Sequence, residues 1–377
     1  MKSRYELTIS TDYVPNWTYE DGLRELFQNA IDNEIVNQEN KMSFAYSNGA
    51  VTITNKTSVL EADTLLLGSS TKRDDKRTIG QHGEGYKIAF MVLLREGKTI
   101  TVYNYGKREI WNVRLVKSRR FNGKQVPIIE IEKEAFWKKV PDDNLTIEVK
   151  GITEEEYNKY VNKNLHLRKE YRHIKVSKDS SILLDKSEKG NIYIRGLFVC
   201  NKEGFKYGYD LSANDIRLDR DRKLVDSFDL SWETSYMWLS VYNKGKHKKD
   251  ILSMINDNSL DTRYVESRIK TAEVDLKERI GNDLRVKFKE QHGEGSIAIA
   301  KTSDIALANR LGLKPIIVRE EVLNLMNYGV EEDNTTVISN RKVSDKLRDF
   351  MDDIEDKLTD TELKTLKDLI QEVEDME

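Results

Sequence analysis

Little in this chain can be cross-linked or built into a zinc site. Its 377 residues hold one cysteine, Cys200, so no disulfide can close within the chain, and so sparse a thiol content argues for a reducing compartment. Cys200 ends the apolar run Ile192–Val199 and reads as core. Four prolines and five histidines leave no cluster with zinc-ligand spacing. Long apolar runs are missing as well. No stretch of about 18 apolar residues occurs, which excludes a membrane-spanning helix, and Met1-Lys2-Ser3-Arg4-Tyr5-Glu6 does not read as a signal peptide. A cytoplasmic location is the expectation. Excess charge of one sign is also small, at −3 overall. The acids gather at one end: residues 342–377 carry thirteen acidic and six basic side chains, a local balance of −7. Such a balance does not call for a nucleic-acid partner.

What is present is a charged, globular composition, 34% charged and 38% hydrophobic, with enough chain for two or three cores. The stretch Glu25-Leu26-Phe27-Gln28-Asn29-Ala30-Ile31-Asp32-Asn33 lies in a helical pattern from about Thr18 to Asn37. Leu23, Leu26, Phe27, Ala30 and Ile31 make its apolar stripe. Glu25, Asn29 and Asp32 are spaced i, i+4, i+7, which puts two carboxylates and a carboxamide on one face. Alone, such a face is ordinarily just solvated.

Some fifty residues later comes Gly80-Gln81-His82-Gly83-Glu84-Gly85-Tyr86-Lys87, running into the apolar segment Ile88–Leu94. Glycines spaced in this way at the start of a helix let backbone N–H groups approach a phosphate. A second small, polar loop, Gly68-Ser69-Ser70-Thr71-Lys72, precedes it.

Taken in order, ELFQNAIDN at 25–33, LLLGSSTK at 65–72 and TIGQHGEGYKIAF at 78–90 resemble the GHKL ATPases. That family includes the heat-shock chaperones of ninety kilodaltons, gyrase B subunits, MutL, the MORC proteins and the histidine kinases. The resemblance covers residues 1–150 and, more loosely, 190–235. It implies a Bergerat-type α/β sandwich, helices on one face of a mixed sheet, that binds ATP with Mg²⁺. By the same resemblance Glu25 orients or deprotonates the attacking water and Asn29 holds the metal. Asp32, Asn33 and Lys87 join the nucleotide site, Gly80, Gly83 and Gly85 bring the backbone to the phosphates, and Ser70, Thr71 and Lys72 belong to a lid. A basic residue near Arg220 and Arg222 reaches the γ-phosphate. One departure stands out. The family's Asp-x-Gly-x-Gly turn, whose aspartate reads the adenine amino group, corresponds to Val51–Val59, which has neither aspartate nor glycine. Asn55 or Thr54 is the candidate replacement.

Strand patterns around Asn48-Gly49 predict a hairpin, and further strands fall at 99–105, 109–116, 126–132 and 145–150. Helices are expected at 60–67, 153–170 and 261–280, and single strands at 174–177, 182–184 and 191–199. Trp232, Tyr236, Trp238 and Leu239 read as core, and Asn243–Lys249 as a basic linker. Residues 296–318 read as a small βαβ unit, and the second Gln-His-Gly-Glu-Gly, at 291–295, as a turn. The tail is two helices, the second opened by a Thr359–Glu362 capping box, with an apolar seam that needs a partner. The expected division is 1–152 nucleotide-binding, 153–242 transducer-like, 250–340 a small α/β domain and 341–377 an acidic helical tail. The implied function is an ATP-driven conformational clamp, homodimeric when ATP is bound, acting on a protein partner. The alternatives are a non-hydrolysing nucleotide sensor or adaptor and a nucleic-acid clamp of the MutL or MORC kind.

Overall fold

The structure is a computed structural model and describes residues 2–65, 85–133, 143–212, 216, 226–330 and 343–376. The chain divides into two compact units, Met1–Leu230 and Ser231–Glu377.

The first unit is built on an antiparallel sheet of seven strands. In chain order they are β1 (Lys2–Glu6), β2 (Met42–Ser47), β3 (Ala50–Asn55), β4 (Thr99–Asn104), β5 (Glu109–Lys117), β6 (Gln125–Lys133) and β7 (Leu145–Lys150). Their spatial order is β1-β6-β5-β4-β7-β3-β2. Every pairing is antiparallel. The expected α/β sandwich is therefore present, and among the described residues of this unit parallel pairing is confined to a smaller sheet. Asn48 and Gly49 both take positive φ, 50° and 75°, the geometry that a two-residue hairpin between right-twisted strands requires.

Helices α1 (Tyr19–Val36) and α2 (Gly85–Arg95) cover one face of the seven-stranded sheet. Alternation decides which strand residues meet them. Val51, Ile53, Ile100, Val102, Ile147 and Val149 are buried and join Leu23, Leu26, Phe27 and Phe90 in one core. The connection from β1 to α1 is held from behind by Arg95. Its guanidinium donates to the carbonyls of Thr11 (3.0 Å), Tyr13 (3.2 Å), Val14 (3.2 Å) and Trp17 (2.6 Å). Four carbonyls thus share one planar cation.

Several expected elements are shorter or broken. The helix at 60–67 is a short 3-10 turn over Ala62–Leu65, and residues 66 and 67 lie outside the described residues. The helix at 153–170 is α3, Glu154–Asn162 only. It stops because the chain turns to meet the next sheet: Leu165 N–H donates to Gly196 O at 2.8 Å. That sheet has five strands, β8 (His173–Lys175), β9 (Ser181–Leu183), β10 (Asn191–Ile194), β11 (Leu197–Asn201) and β12 (Gly208–Leu211), in the order β11-β10-β12-β9-β8. The apolar run 191–199 is thus a hairpin rather than one strand, turned at Arg195 and Gly196, whose φ values are 49° and 77°. In this sheet β10 and β12 pair in parallel. Cys200 lies on β11 and is half-buried rather than core.

In the second unit, helix α4 (Ser227–Asn243) enters across the division and leads to α5 (Lys248–Asn256). Trp238 and Leu239 are buried, but Tyr236 is 51% exposed and lies against the Arg268 guanidinium, which also stacks 4.3 Å from the half-buried Trp232 ring. Asn243–Lys249 is a turn inside this unit. The expected helix 261–280 is three pieces: a 3-10 turn, α6 (Val265–Ile269) and α7 (Val274–His292). Gly293, φ 92°, ends α7, so the second Gln-His-Gly-Glu-Gly is a helix stop. The βαβ unit is present as β13 (Ser296–Ile299), α8 (Ile305–Arg310) and β14 (Lys314–Ile317), paired in parallel. After α9 (Glu320–Met326), α10 (Val343–Ile354) and α11 (Asp360–Met376) pack on each other, so each tail helix supplies the other's apolar partner. Thr359 N–H donates to Glu362 Oε2 at 2.9 Å, completing the expected cap. No described helix is long and apolar enough to cross a membrane.

Candidate functional site

Helix α1 starts at Thr18, whose N–H donates to Asp21 Oδ2 at 2.9 Å, and its apolar stripe fixes the roll of the helix on the sheet. That roll decides the fate of the polar face. Glu25 is 3% exposed, Asp32 is wholly buried and Asn29 is half-buried. The face is therefore not solvated. It is covered by α2, which crosses in the opposite sense, with Gly22 near Leu93 at one end and Asn29 near Gly85 at the other.

The crossing is close at both ends because glycine supplies one partner. A Cβ placed on Gly85 would stand 2.8 Å from Asn29 Nδ2 and 3.1 Å from Glu25 Oε2. A Cβ on Gly22 would stand 2.8 Å from Leu93 Cγ. At the first residue of α2, then, a carboxylate, a carboxamide and a helix N-terminus converge. Such a terminus carries donor N–H groups and a partial positive charge, which suits an anion.

Compensation for the buried Glu25 charge comes from its sequence neighbour. Arg24 Nη2 lies 3.6 Å from Glu25 Oε1, Arg24 Nη1 lies 3.6 Å from Asp21 Oδ1, and the guanidinium sits 5.3 Å over the Trp17 ring. On the α3 side, burial pushes the Tyr160 phenol well above its ordinary value. Asn164 and Arg24 pull it back, and Glu25 pushes it up. At the other end of α1, burial and the Asp32 carboxylate push the Tyr86 phenol up in the same way.

The other expected site residues fall in several places. Asn33 Nδ2 donates to Ser58 Oγ at 2.7 Å, tying α1 to the segment after β3. Asn55 is in the core-facing phase of β3, and its Nδ2 donates to Ala30 O and Asn40 O, both at 2.9 Å. Thr54 is in the opposite phase and its hydroxyl meets Thr146 Oγ1 at 2.8 Å across the sheet. Of the two candidates for the missing aspartate, only Asn55 therefore faces the helices. Lys87 lines a different cavity, formed by the β1–α1 connection, the start of α2 and the β5–β6 hairpin. Ser70, Thr71, Lys72, Gly80, Gly83, Arg220 and Arg222 lie outside the described residues.

Among the described residues no group of three or more His, Cys, Asp or Glu could hold a metal ion unaided. Asn29 and Glu25 fit a hard cation that takes one or two protein oxygens and completes its shell with water and phosphate, as Mg²⁺ does. Arg24, Tyr86 and Tyr160 are the participants that sequence reasoning passed over. Arg24 was legible as a cation beside a glutamate that the apolar stripe turns inward. The two tyrosines depend on contacts between distant elements and left no local signal.

No protein-family model matches the chain, and no curated protein matches it. Among solved structures the chain is similar to the ATPase region of Saccharomyces cerevisiae topoisomerase II, at 10% identity and a TM-score of 0.27. The match covers 48% of this chain and 61% of that one, a likeness too shallow to carry an argument about function.

Proposed function

We propose that this chain is an adenine-nucleotide-binding protein of the GHKL type, that it hydrolyses ATP slowly, and that it acts as a conformational clamp on a protein partner. One observation supports the reading above the rest. Glu25 and Asn29, which an isolated amphipathic helix would leave in water, are packed against the glycine that opens α2. The order of the three sequence segments supports it independently.

In this reading the phosphates lie at the α2 N-terminus. Asn29 is the protein ligand of Mg²⁺, which would supply charge neutralisation on the β- and γ-phosphates. Glu25 orients the attacking water and accepts its proton. Arg24 balances the Glu25 carboxylate, and Gly85 leaves the room that both Glu25 and Asn29 need. Asn55, held by its Nδ2, presents its Oδ1 as the acceptor for the adenine amino group, with Asp32 nearby on α1. Gly80, Gly83 and the Ser70–Lys72 segment complete the phosphate loop and lid, and Arg220 or Arg222 meets the γ-phosphate. ATP-driven dimerisation of the N-terminal part is included in this reading.

The test compares ATP affinity and phosphate release in wild type, Glu25→Ala and Asn29→Ala. Glu25→Ala is expected to hold ATP and lose turnover by on the order of 10²–10⁴-fold, and to accumulate as an ATP-dependent dimer in light scattering. Asn29→Ala is expected to lose Mg²⁺-dependent binding without unfolding. Binding without turnover in wild type would replace the clamp with the sensor reading. The absence of an ATP-induced thermal shift at millimolar nucleotide would overturn both.

A further inference from the structure

The tail hairpin leaves most of its apolar surface uncovered. Of the twelve large apolar side chains on residues 343–376, only Ile370 is buried, at 3% exposed. Helices α10 and α11 pack on each other, but a pair of helices covers its apolar stripes from one side only. The gap is plainest on α11. Leu366, Leu369, Val373 and Met376 follow one another at steps of three, four and three residues, a stripe beside the position of Ile370. Leu369 is 51% exposed and Met376 87%, and Leu366 and Val373 are half-buried.

Charge narrows the occupant. At about 100° of helix per residue, the two lysines of α11, Lys364 and Lys367, fall on the side opposite this stripe. Glu362 continues the stripe four residues before Leu366, and Glu372 borders it three residues after Leu369; both are exposed. The wider surface has the same sign. Residues 342–377 carry a balance of −7. Arg348 is committed to Asp345 and Glu374, whereas the exposed Asp352, Glu355, Asp356, Asp360, Asp368 and Glu372 form no ion pair among the described residues. An apolar stripe with an acidic border suits an apolar stripe with a basic one. A second copy would set one −7 surface against another, and the same charge turns away nucleic acid and anionic lipid.

We infer that this face of α11 is the docking site for a basic amphipathic helix of a partner protein. Leu369 is the centre of the apolar contact, and Glu362 and Glu372 meet lysine or arginine at its edges. The stripe from Glu362 to Met376 is about 21 Å long at 1.5 Å per residue, which sets the partner helix at roughly 14 residues. The inference is independent of the nucleotide reading, because no residue of the tail takes part in that site.

The probe is a fluorescein-labelled synthetic helix with leucines at steps of three and four and lysines on both flanks, titrated into the full-length protein by fluorescence anisotropy. One comparison peptide keeps the leucine stripe and carries glutamates on its flanks. Another has the composition of the lysine helix, shuffled so that no stripe forms. The lysine helix is expected to bind about tenfold tighter than either. Leu369→Lys should weaken it by about tenfold or more, through a lost apolar contact and a new like charge. Glu372→Lys should weaken it by about threefold or more at low salt. Glu290→Lys makes the same change of charge at an exposed position of α7 and should stay within about twofold of wild type. All three positions are exposed, and circular dichroism and melting temperature report that each variant is folded. Equal affinity for the lysine and glutamate helices, or wild-type binding by Leu369→Lys, would overturn the assignment. So would a dimer in light scattering that Leu369→Lys dissolves, since the face would then belong to a second copy.

Discussion

Asn55 holds more than counting along the sequence reveals. Its amide nitrogen serves two carbonyls, Ala30 O on α1 and Asn40 O ahead of β2, inside the core-facing phase of β3. Ala30 O lies in the middle of α1 and keeps its helical hydrogen bond, so Asn55→Ala chiefly leaves Asn40 O without its donor, a loss of about 1–3 kcal/mol. The expected outcome is a drop of roughly 1–3 kcal/mol in urea unfolding without any nucleotide present. A variant as stable as wild type would remove the structural role. That Asn55 follows closely on the Asn48-Gly49 hairpin was readable from the sequence. Its partners were not, because they sit 25 and 15 residues away, on other elements. Glu25 and Asn29 were equally visible as a spacing. Their burial was not, since it comes from Gly85 on a second helix and not from anything in α1 itself.

Elements were legible where local chemistry and tertiary packing agree, and misread where packing overrides pattern. Asn48-Gly49 is the ordinary residue pair for a tight hairpin and gave itself away. Arg195-Gly196 makes a similar turn with an arginine at positive φ, so an apolar run concealed two strands. Helix α3 was expected to be twice its length, because its C-terminal boundary is set by pairing with the next sheet in the chain. Its start has a testable electrostatic device. Glu156 accepts from Thr153 N–H at 2.9 Å, and Lys98 Nζ lies 2.7 Å from both its oxygens. Burial opposes the Glu156 charge, but Lys98 and Thr153 outweigh it, and its pKa falls below the ordinary 4.5. A carboxyl depressed in the folded state contributes stability that is present above the unfolded value and lost as pH falls through the folded one. Glu156→Gln should cost about 1–2 kcal/mol near neutrality. That cost should fade as pH drops below 4.5. Urea unfolding of both proteins across pH 7 to 3 measures it, and a cost independent of pH would mean the charge is not involved.

For the whole molecule, two compact units predict two unfolding events. Trp111 and Phe27 belong to the core of the first, and Trp238, Tyr242 and Ile280 are buried in the second. Calorimetry should resolve two transitions. Phe27→Ala should lower only one and Ile280→Ala only the other, by about 2–5 kcal/mol each. A single transition that moves with either substitution would mean the units unfold as one. The sheet of the first unit also has an order of events written into it. β1 forms no pair with its sequence neighbours; Lys2–Glu6 waits for Ile128–Glu132. The ribosome adds about 5–20 residues per second, so this strand's backbone goes without its partner for roughly 6–25 s while some 120 further residues are made. Throughout that interval the open edge of Lys2–Glu6 is within reach of whatever chaperone attends synthesis.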